Sequence, residues 1–429
     1  MMHPKAKEHR SLTLHVDVLR NLPENVIDAI LMYLPFRDAV RTSILSNGWR
    51  YKWCRLPELT LDDAVWTTKN KVILCTSKIT KIISHILKLR AGPITKFVLC
   101  VSGSRSCPKI DDLIYFLSRN GIQHLVLRLP FCGDPYKLPS SFFKCLQLRH
   151  LTLQNCQILP PPAFTGFDRL ISLELSLNLS DDTISSKLLE SLISQCLLLE
   201  HLALDIVVSY NDVIEINAPV LKSFDFAGSL SSIFLKKVPL LAKLSLTENG
   251  DILVAENWDF VKFFESFSAL EHLLLNNMFF AANAGKVPTR LPFNLNCVKQ
   301  LDISNLDLYD SAEVSCALCL IRSFQYLQYM EIQAYCTDDI AALDLEEIEV
   351  ELSSDATFNH LREVKLELTN CSIIEMLLIK LLLAKSPVLV RMLIKLYMPV
   401  KESASVKIFA AELTKFQRAS PKAVVIIEH

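Results

Sequence analysis

A six-residue phrase, apolar at its first, fourth and sixth positions, recurs thirteen times along the chain. It reads LPELTL at Leu56, ITKFVL at Ile94, IQHLVL at Ile122, LRHLTL at Leu148, LISLEL at Leu170, LEHLAL at Leu199 and LKSFDF at Leu221. It continues as LAKLSL at Leu241, LEHLLL at Leu270, VKQLDI at Val298, LQYMEI at Leu327, LREVKL at Leu361 and LVRMLI at Leu389. Most starts lie 20 to 29 residues apart, with gaps of 38 after Leu56 and 34 after Leu327. The fourth and sixth residues, two apart, share one face of a strand, and the first folds in beneath them from the preceding turn. One unit has a single short strand and a return segment, so it buries its apolar face only by stacking on neighbours. The expected fold is therefore an α/β solenoid with a curved parallel sheet. The irregular period predicts a variable convex side.

Composition excludes several classes. Lys+Arg is 45 and Asp+Glu 46, a net charge of −1, so no global field draws the chain to nucleic acid or to a membrane. Nine glycines are too few for a Gly-rich phosphate cradle. The start MMHPKAKEHRSLTLHVD has no apolar run of signal-peptide length, so the chain is not expected to be secreted. The thirteen cysteines are scattered through apolar segments and read as buried thiols in a reducing compartment. On that reading the sequons at Asn178 and Asn370 carry no meaning. The most membrane-like segment, Leu377 to Leu396, holds Lys380, Lys385, Pro387, Arg391 and Lys395, too many charges to span. The expectation is an intracellular protein of nucleus, cytoplasm or both.

Residues 17–55 do not fit the repeat. Pro23 suits the first turn of a helix; Ile27, Ile30, Leu31 and Leu34 mark one face of it, and Pro35 stops it. RDAVRTSIL reads as a second short helix, and Ser46 as the cap of a third that carries Trp49 and Trp53. Three short helices cannot bury this many large apolar groups among themselves. The stretch LPENVIDAILMYLPFRDAVRTSILSNGWRYKW resembles an F-box, at Leu22, Pro23, Val26, Ile27, Ile30, Leu31, Leu34, Pro35, Val40, Ser43, Leu45, Ser46, Trp49, Arg50 and Trp53. Asn47-Gly48 departs from that family, which usually has a basic residue before the tryptophan. Glycine within a helix costs roughly 1 kcal/mol relative to alanine, so the third helix is expected to be loose or to start late.

The C-terminal stretch, from FNHLREVKLELTNCSIIEMLL to FAAELTKFQRASPKAVVIIEH, resembles the FBD region that closes many plant-type F-box/leucine-rich-repeat proteins. IEINAPVLKSFDFAG, Ile214 to Gly228, has the same family look. The resemblance implies four parts: a disordered tail (1–16), an F-box of three helices (17–55), a leucine-rich-repeat solenoid (56–355), and an FBD region of final repeats and cap (356–429). It also implies a non-catalytic role, as the substrate-recognition subunit of a Skp–cullin–F-box ubiquitin ligase. Leu22, Pro23, Ile27, Ile30, Leu31, Leu34, Pro35, Val40, Leu45, Ser46, Trp49 and Trp53 would then bind the Skp-type adaptor, and through it the cullin–RING ligase. The alternative is a non-degradative interaction scaffold. A basic three-helix reader of nucleic acid is weaker, because two tryptophans are wasted on phosphates and suit a protein interface.

No catalytic constellation, cofactor motif or zinc spacing emerges. Cys316 and Cys319 form a CxxC without a second pair, and Ser104 has no identifiable base. His124, His150, His201 and His272 occupy one register, before the second apolar residue of their phrases. That register faces the concave sheet surface, either as polar filler or as a pH- or metal-sensitive ladder. Outward positions give Lys96, His124, Arg128 and His150 early. Later come Glu174, Asp205, Asp225, Asp302, Tyr329, Glu331, Glu363 and Glu367, interrupted by Lys243 and Lys365. His201, Asp205, Asp225, Tyr329 and Glu331 are the candidate substrate contacts, facing an unknown protein with a basic degradation signal.

Overall fold

The computed structural model describes residues 22–68, 71–72, 76–102, 108–131, 134–178, 185–207, 213–248, 260–265, 267–276, 288–335, 357–369, 372–397 and 403–428. The tail expected at 1–16, Ser104 and Asn370 lie outside them. Each of the thirteen phrases forms a strand, and all join one parallel sheet of fourteen. In chain order the strands are β1 Glu58–Leu61, β2 Lys96–Cys100, β3 His124–Arg128, β4 His150–Gln154, β5 Ser172–Asn178, β6 His201–Val207 and β7 Ser223–Gly228. They continue as β8 Lys243–Glu248, β9 His272–Asn276, β10 Gln300–Asp307, β11 Tyr329–Tyr335, β12 Glu363–Leu368, β13 Arg391–Leu396 and β14 Val424–Glu428. Strand order in the sheet equals chain order, as stacked repeats require.

The phrase explains the stacking atom by atom. First-position residues from Leu56 to Leu389 are all buried, as are the fourth and sixth residues of phrases such as IQHLVL and LRHLTL. The N–H groups of the second and third residues both donate to one carbonyl, that of the second residue one repeat earlier. Gln123 and His124 donate to Thr95 at 2.8 and 2.9 Å, and Arg149 and His150 to Gln123 at 2.8 and 3.0 Å. The pattern holds from Thr95 and Lys96 on Pro57 through Val390 and Arg391 on Arg362. A register slip of one residue would break this ladder and turn every leucine to solvent.

The return segments vary, and so does the convex side. Helices α3 Thr76–Leu89, α4 Asp111–Arg119, α5 Ser186–Ser194, α6 Ser311–Ser323, α7 Ile373–Lys385 and α8 Ser403–Leu413 cover parts of it. (α1 Glu24–Tyr33 and α2 Phe36–Arg41 belong to the N-terminal module.) Elsewhere a 3₁₀ turn at Phe142–Lys144 does so, packed edge-to-face among Phe142, Phe143, Phe164 and Phe167. Close stacking fixes Gly228: a Cβ there would stand 2.5 Å from the Ile206 carbonyl.

Two strand-to-helix junctions carry a buried carboxylate three residues past the helix cap. At α6, Asp310 caps the Ala312 and Glu313 N–H groups, and Glu313 accepts from the Asp307 N–H at 3.1 Å. At α7, Ser372 and Glu375 form a capping box. Burial pushes the Glu313 carboxyl up from its ordinary 4.5 to about 7. The folded chain therefore holds this proton more tightly than the unfolded one, and stability falls as pH rises between those values. Glu313→Gln keeps an oxygen for the Asp307 N–H. It should melt with the wild type at pH 5 and about 2 °C higher at pH 8, as calorimetry at the two pH values would read.

Candidate functional site

The N-terminal module opens with α1 Glu24–Tyr33, followed by α2 Phe36–Arg41 and a 3₁₀ turn at Thr42–Ile44. The third helix expected over both tryptophans is not an α-helix. Trp49 lies in a run of turns, and only Lys52–Arg55 coils, as 3₁₀. Gly48 and Asn47 supply the physical reason, since neither favours a helix interior. Ser46 does not cap with its side chain: its carbonyl receives the Trp49 N–H at 3.1 Å, while its buried hydroxyl has no hydrogen-bond partner among the described residues.

Burial divides the twelve expected adaptor contacts. Ile27, Leu31, Trp49 and Trp53 are core in the free chain, with Leu31 at 0% and Trp49 at 3% exposure. Leu22, Leu34, Val40 and Ser46 are half-buried, and Pro23, Ile30, Pro35 and Leu45 are exposed. Trp53 meets Phe36 edge-to-face at 5.7 Å. That contact lies within the module, which shares one hydrophobic core with the first repeats, Trp49, Trp53, Leu56, Leu59 and Leu61 among its buried members. Arg90, just after α3, welds the two by donating to the Leu56 carbonyl at 2.5 Å and the Trp53 carbonyl at 3.4 Å.

A different apolar surface faces out. Val26, Ile30 and Tyr33 lie at helical spacing on α1, beside the inward face of Ile27, Leu31 and Leu34. Met32, Ile44, Leu45 and Tyr51 are also exposed, with Tyr33 at 91% and Ile44 at 86%. The Ser43 hydroxyl bonds the Arg50 carbonyl at 2.8 Å and draws the Ile44–Leu45 turn toward Tyr51. Helical spacing alone would have revealed Val26 and Tyr33; Ile44 and Tyr51 carry no such signal. Beside this surface a cleft of about 600 Å³ runs between the end of α1 and β1, lined by Tyr33, Pro35, Phe36, Glu58 and Asp62 among others.

The basic residues around the tryptophans are engaged within the chain. Lys52 and Arg55 pair with Glu24, whose carboxyl they hold below its ordinary value, and Arg55 reaches Asp28 at 3.2 Å. Arg41 pairs with Asp38 at 3.0 Å, and Arg37 donates to the Ala64 carbonyl. This is no open cationic face for phosphates.

On the concave sheet face the register sets rows of side chains. His124 stands opposite His150, their rings stacked 4.3 Å apart at 12°. Burial first, then the neighbouring charges, lowers both imidazoles below their ordinary value. His201 is separated from this pair by Ser172, and His272 holds Asp302 at 2.6 Å. No group of three His, Cys, Asp or Glu that could hold a metal occurs among the described residues. Cys316 and Cys319 are buried on α6, and burial pushes the Cys319 thiol up to about 11.

The substrate candidates separate into two groups. Asp205 and Asp225 sit on adjacent strands but in different rows, since Ala203 is the residue opposite Asp225. Tyr329 and Glu331 lie four strands beyond β7, about 19 Å away at the usual strand spacing. There the acidic charge is largely matched: Tyr329 donates to Glu331 at 2.7 Å, Lys365 pairs with Glu331 and Glu367, and Lys395 approaches Glu367. Glu174 likewise meets Arg128 and Thr152. Around β6 and β7 the floor is small and open, with Ser172, Ser176, Ala203, Ser223, Ala227 and Ser245. Asp205 accepts from the Ser176 hydroxyl at 2.8 Å, and Asp225 makes no ion pair among the described residues.

Known proteins place this geometry. The F-box domain model matches residues 19–60, and a model described as FBD-associated F-box protein At5g56370, LRR repeats, matches residues 110–332. The F-box/FBD/LRR-repeat protein At1g13570 of Arabidopsis thaliana is 32% identical over 96% of this chain and 98% of that protein. F-box/LRR-repeat protein 25 of the same plant is 28% identical over 44% of this chain and 67% of its own length. The F-box/FBD/LRR-repeat protein At5g56420, also from Arabidopsis thaliana, is 26% identical over 54% of this chain and 55% of its own. No described helix is long and apolar enough to cross a membrane.

Proposed function

This chain belongs to the F-box/FBD/LRR-repeat family, and from that premise we propose that it is the substrate-recognition subunit of a Skp–cullin–F-box E3 ubiquitin ligase. The N-terminal module takes the Skp-type adaptor, the repeats take a target protein, and the chain itself performs no chemistry. Holding the target beside a charged conjugating enzyme raises effective concentration while transfer occurs elsewhere. The observation that carries this reading is the split within the module. Its tryptophans are buried in the core, yet an outer helix face and the Ile44–Tyr51 turns keep apolar side chains uncovered. Such exposed residues suit a constitutive partner. The Arg90 weld supports it as well, because a fixed angle between adaptor surface and concave sheet holds a target in one place.

The target surface we assign is the open floor at β6 and β7, with His201 at its rim and Asp205 and Asp225 as carboxylates for a basic degradation signal. Tyr329 and Glu331, tied to Lys365, contribute secondarily if the segment is long. The test has two arms. The wild type should co-purify with adaptor and cullin, and a substrate found by proximity labelling with the proteasome inhibited should live longer when this chain is lost. Asp205→Lys with Asp225→Lys should then weaken that substrate at least tenfold while leaving adaptor binding intact. Cullin co-purification without any stabilised protein would favour the scaffold reading. A substrate indifferent to the double reversal would move the target site off the sheet.

A further inference from the structure

The two ends of the sheet are finished differently. The edge of β1 lies beside the helical module, where α1, Leu34 and Phe36 share a cleft with Glu58 and Thr60. At the other end β14 is the last strand, paired only with β13, and no described element lies on its outer side. The Val424 N–H donates inward to the Val390 carbonyl at 2.9 Å, so alternation turns the N–H and C=O groups of Val425 and Ile427 outward. The side chains of the same two residues lean on the core yet stay half-exposed, with no described element over them. Four β-branched residues in a row on an unpaired edge invite strand addition.

We propose that this edge is a self-association site at which β14 pairs antiparallel with β14 of a second copy, about a twofold axis through Ile426. Two features on the strand favour a second copy over a foreign strand. Centring on Ile426 sets Val425 opposite Ile427 of the other copy, so both outward residues exchange hydrogen bonds and both half-exposed core residues gain an apolar neighbour. Charge fits in the same register. Exposed Lys422 precedes the strand and exposed Glu428 ends it, and neither makes an ion pair among the described residues. Antiparallel pairing puts Lys422 diagonal to Glu428 of the other copy, twice per dimer, whereas parallel addition would set like beside like. An isologous contact of this kind closes at two copies. The site is independent of the adaptor and target surfaces, and would give a ligase with two target-holding sheets.

Sedimentation velocity on the purified full chain tests it. The wild type should pass from monomer to dimer as concentration rises to about 100 μM. Val425→Pro removes an outward N–H, which an edge strand tolerates, together with part of a side chain that leans on the core, and should be monomeric. Glu428→Lys and Lys422→Glu should each weaken the dimer roughly tenfold. An equimolar mixture of those two variants should recover wild-type affinity, because each supplies the charge the other has lost. Should Val425→Pro melt early, the mixture decides alone. A wild type that stays monomeric at the highest concentration, or a dimer undiminished by the charge reversals, overturns the proposal.

Discussion

Glutamate in place of Tyr33 and Ile44 should abolish capture of the Skp-type adaptor, by more than about 100-fold, without moving the melting temperature. Both side chains stand almost wholly in solvent, so the free chain loses nothing when they change. At a docked apolar surface each would leave a buried, unpaired carboxylate, and such groups cost several kcal/mol. Trp49→Ala should behave in the opposite order. Trp49 is 3% exposed and packed inside, and removing a buried tryptophan costs about 3–5 kcal/mol. Its melting temperature should fall steeply, with adaptor binding lost only to the extent that the module unfolds. Leu22→Ala with Pro23→Ala lies between, since Leu22 is half-buried and Pro23 begins α1. Pull-down at low temperature, read beside thermal melts, separates surface from core. Equal binding by the Tyr33 and Ile44 double variant would remove the adaptor surface from this face.

The difference between those residues marks where the sequence stops being legible. Thirteen strands were readable because each phrase states its own face at a period of two, and stacking leaves one way to bury it. β14 escaped because KAVVII puts Lys422 where the phrase has its first leucine, although its register on β13 continues the array. The inner face of α1 was readable from Ile27, Leu31 and Leu34. The fate of Trp49 was not, because whether a tryptophan is buried depends on a core that residues remote in sequence build. Concave charges show the same limit. Glu331 and Glu367 look like a free acidic surface when counted along the chain. Only lateral register brings Lys365 between them, and that register is a property of the stacked array.

The same dependence on neighbours makes one buried carboxylate the most sensitive polar position in the C-terminal repeats. Glu375 is 0% exposed; its Oε1 accepts the Thr369 N–H and its Oε2 the Ser372 N–H, both at 2.9 Å. Ser372 returns the bond by accepting the Glu375 N–H at 3.2 Å. Glu375→Ala strips two buried donors of their acceptor and empties the space of a side chain, a loss of about 3 kcal/mol. Glu375→Gln should also destabilise, by about half as much, because its amide nitrogen would face an N–H that needs an acceptor. Here the parallel with Glu313 breaks: the Asp307 N–H bonds only one Glu313 oxygen, so the amide is tolerated there. Repeats couple only to their neighbours, so the damage should spread through α7, β13 and β14 and stop short of the N-terminal module. Hydrogen exchange should show faster amide exchange across residues 372–397 and 423–428 in Glu375→Ala, with residues 22–61 unchanged and adaptor capture retained. Uniform loss of protection along the whole chain would mean that the solenoid unfolds as one unit, and that its ends are not energetically separate.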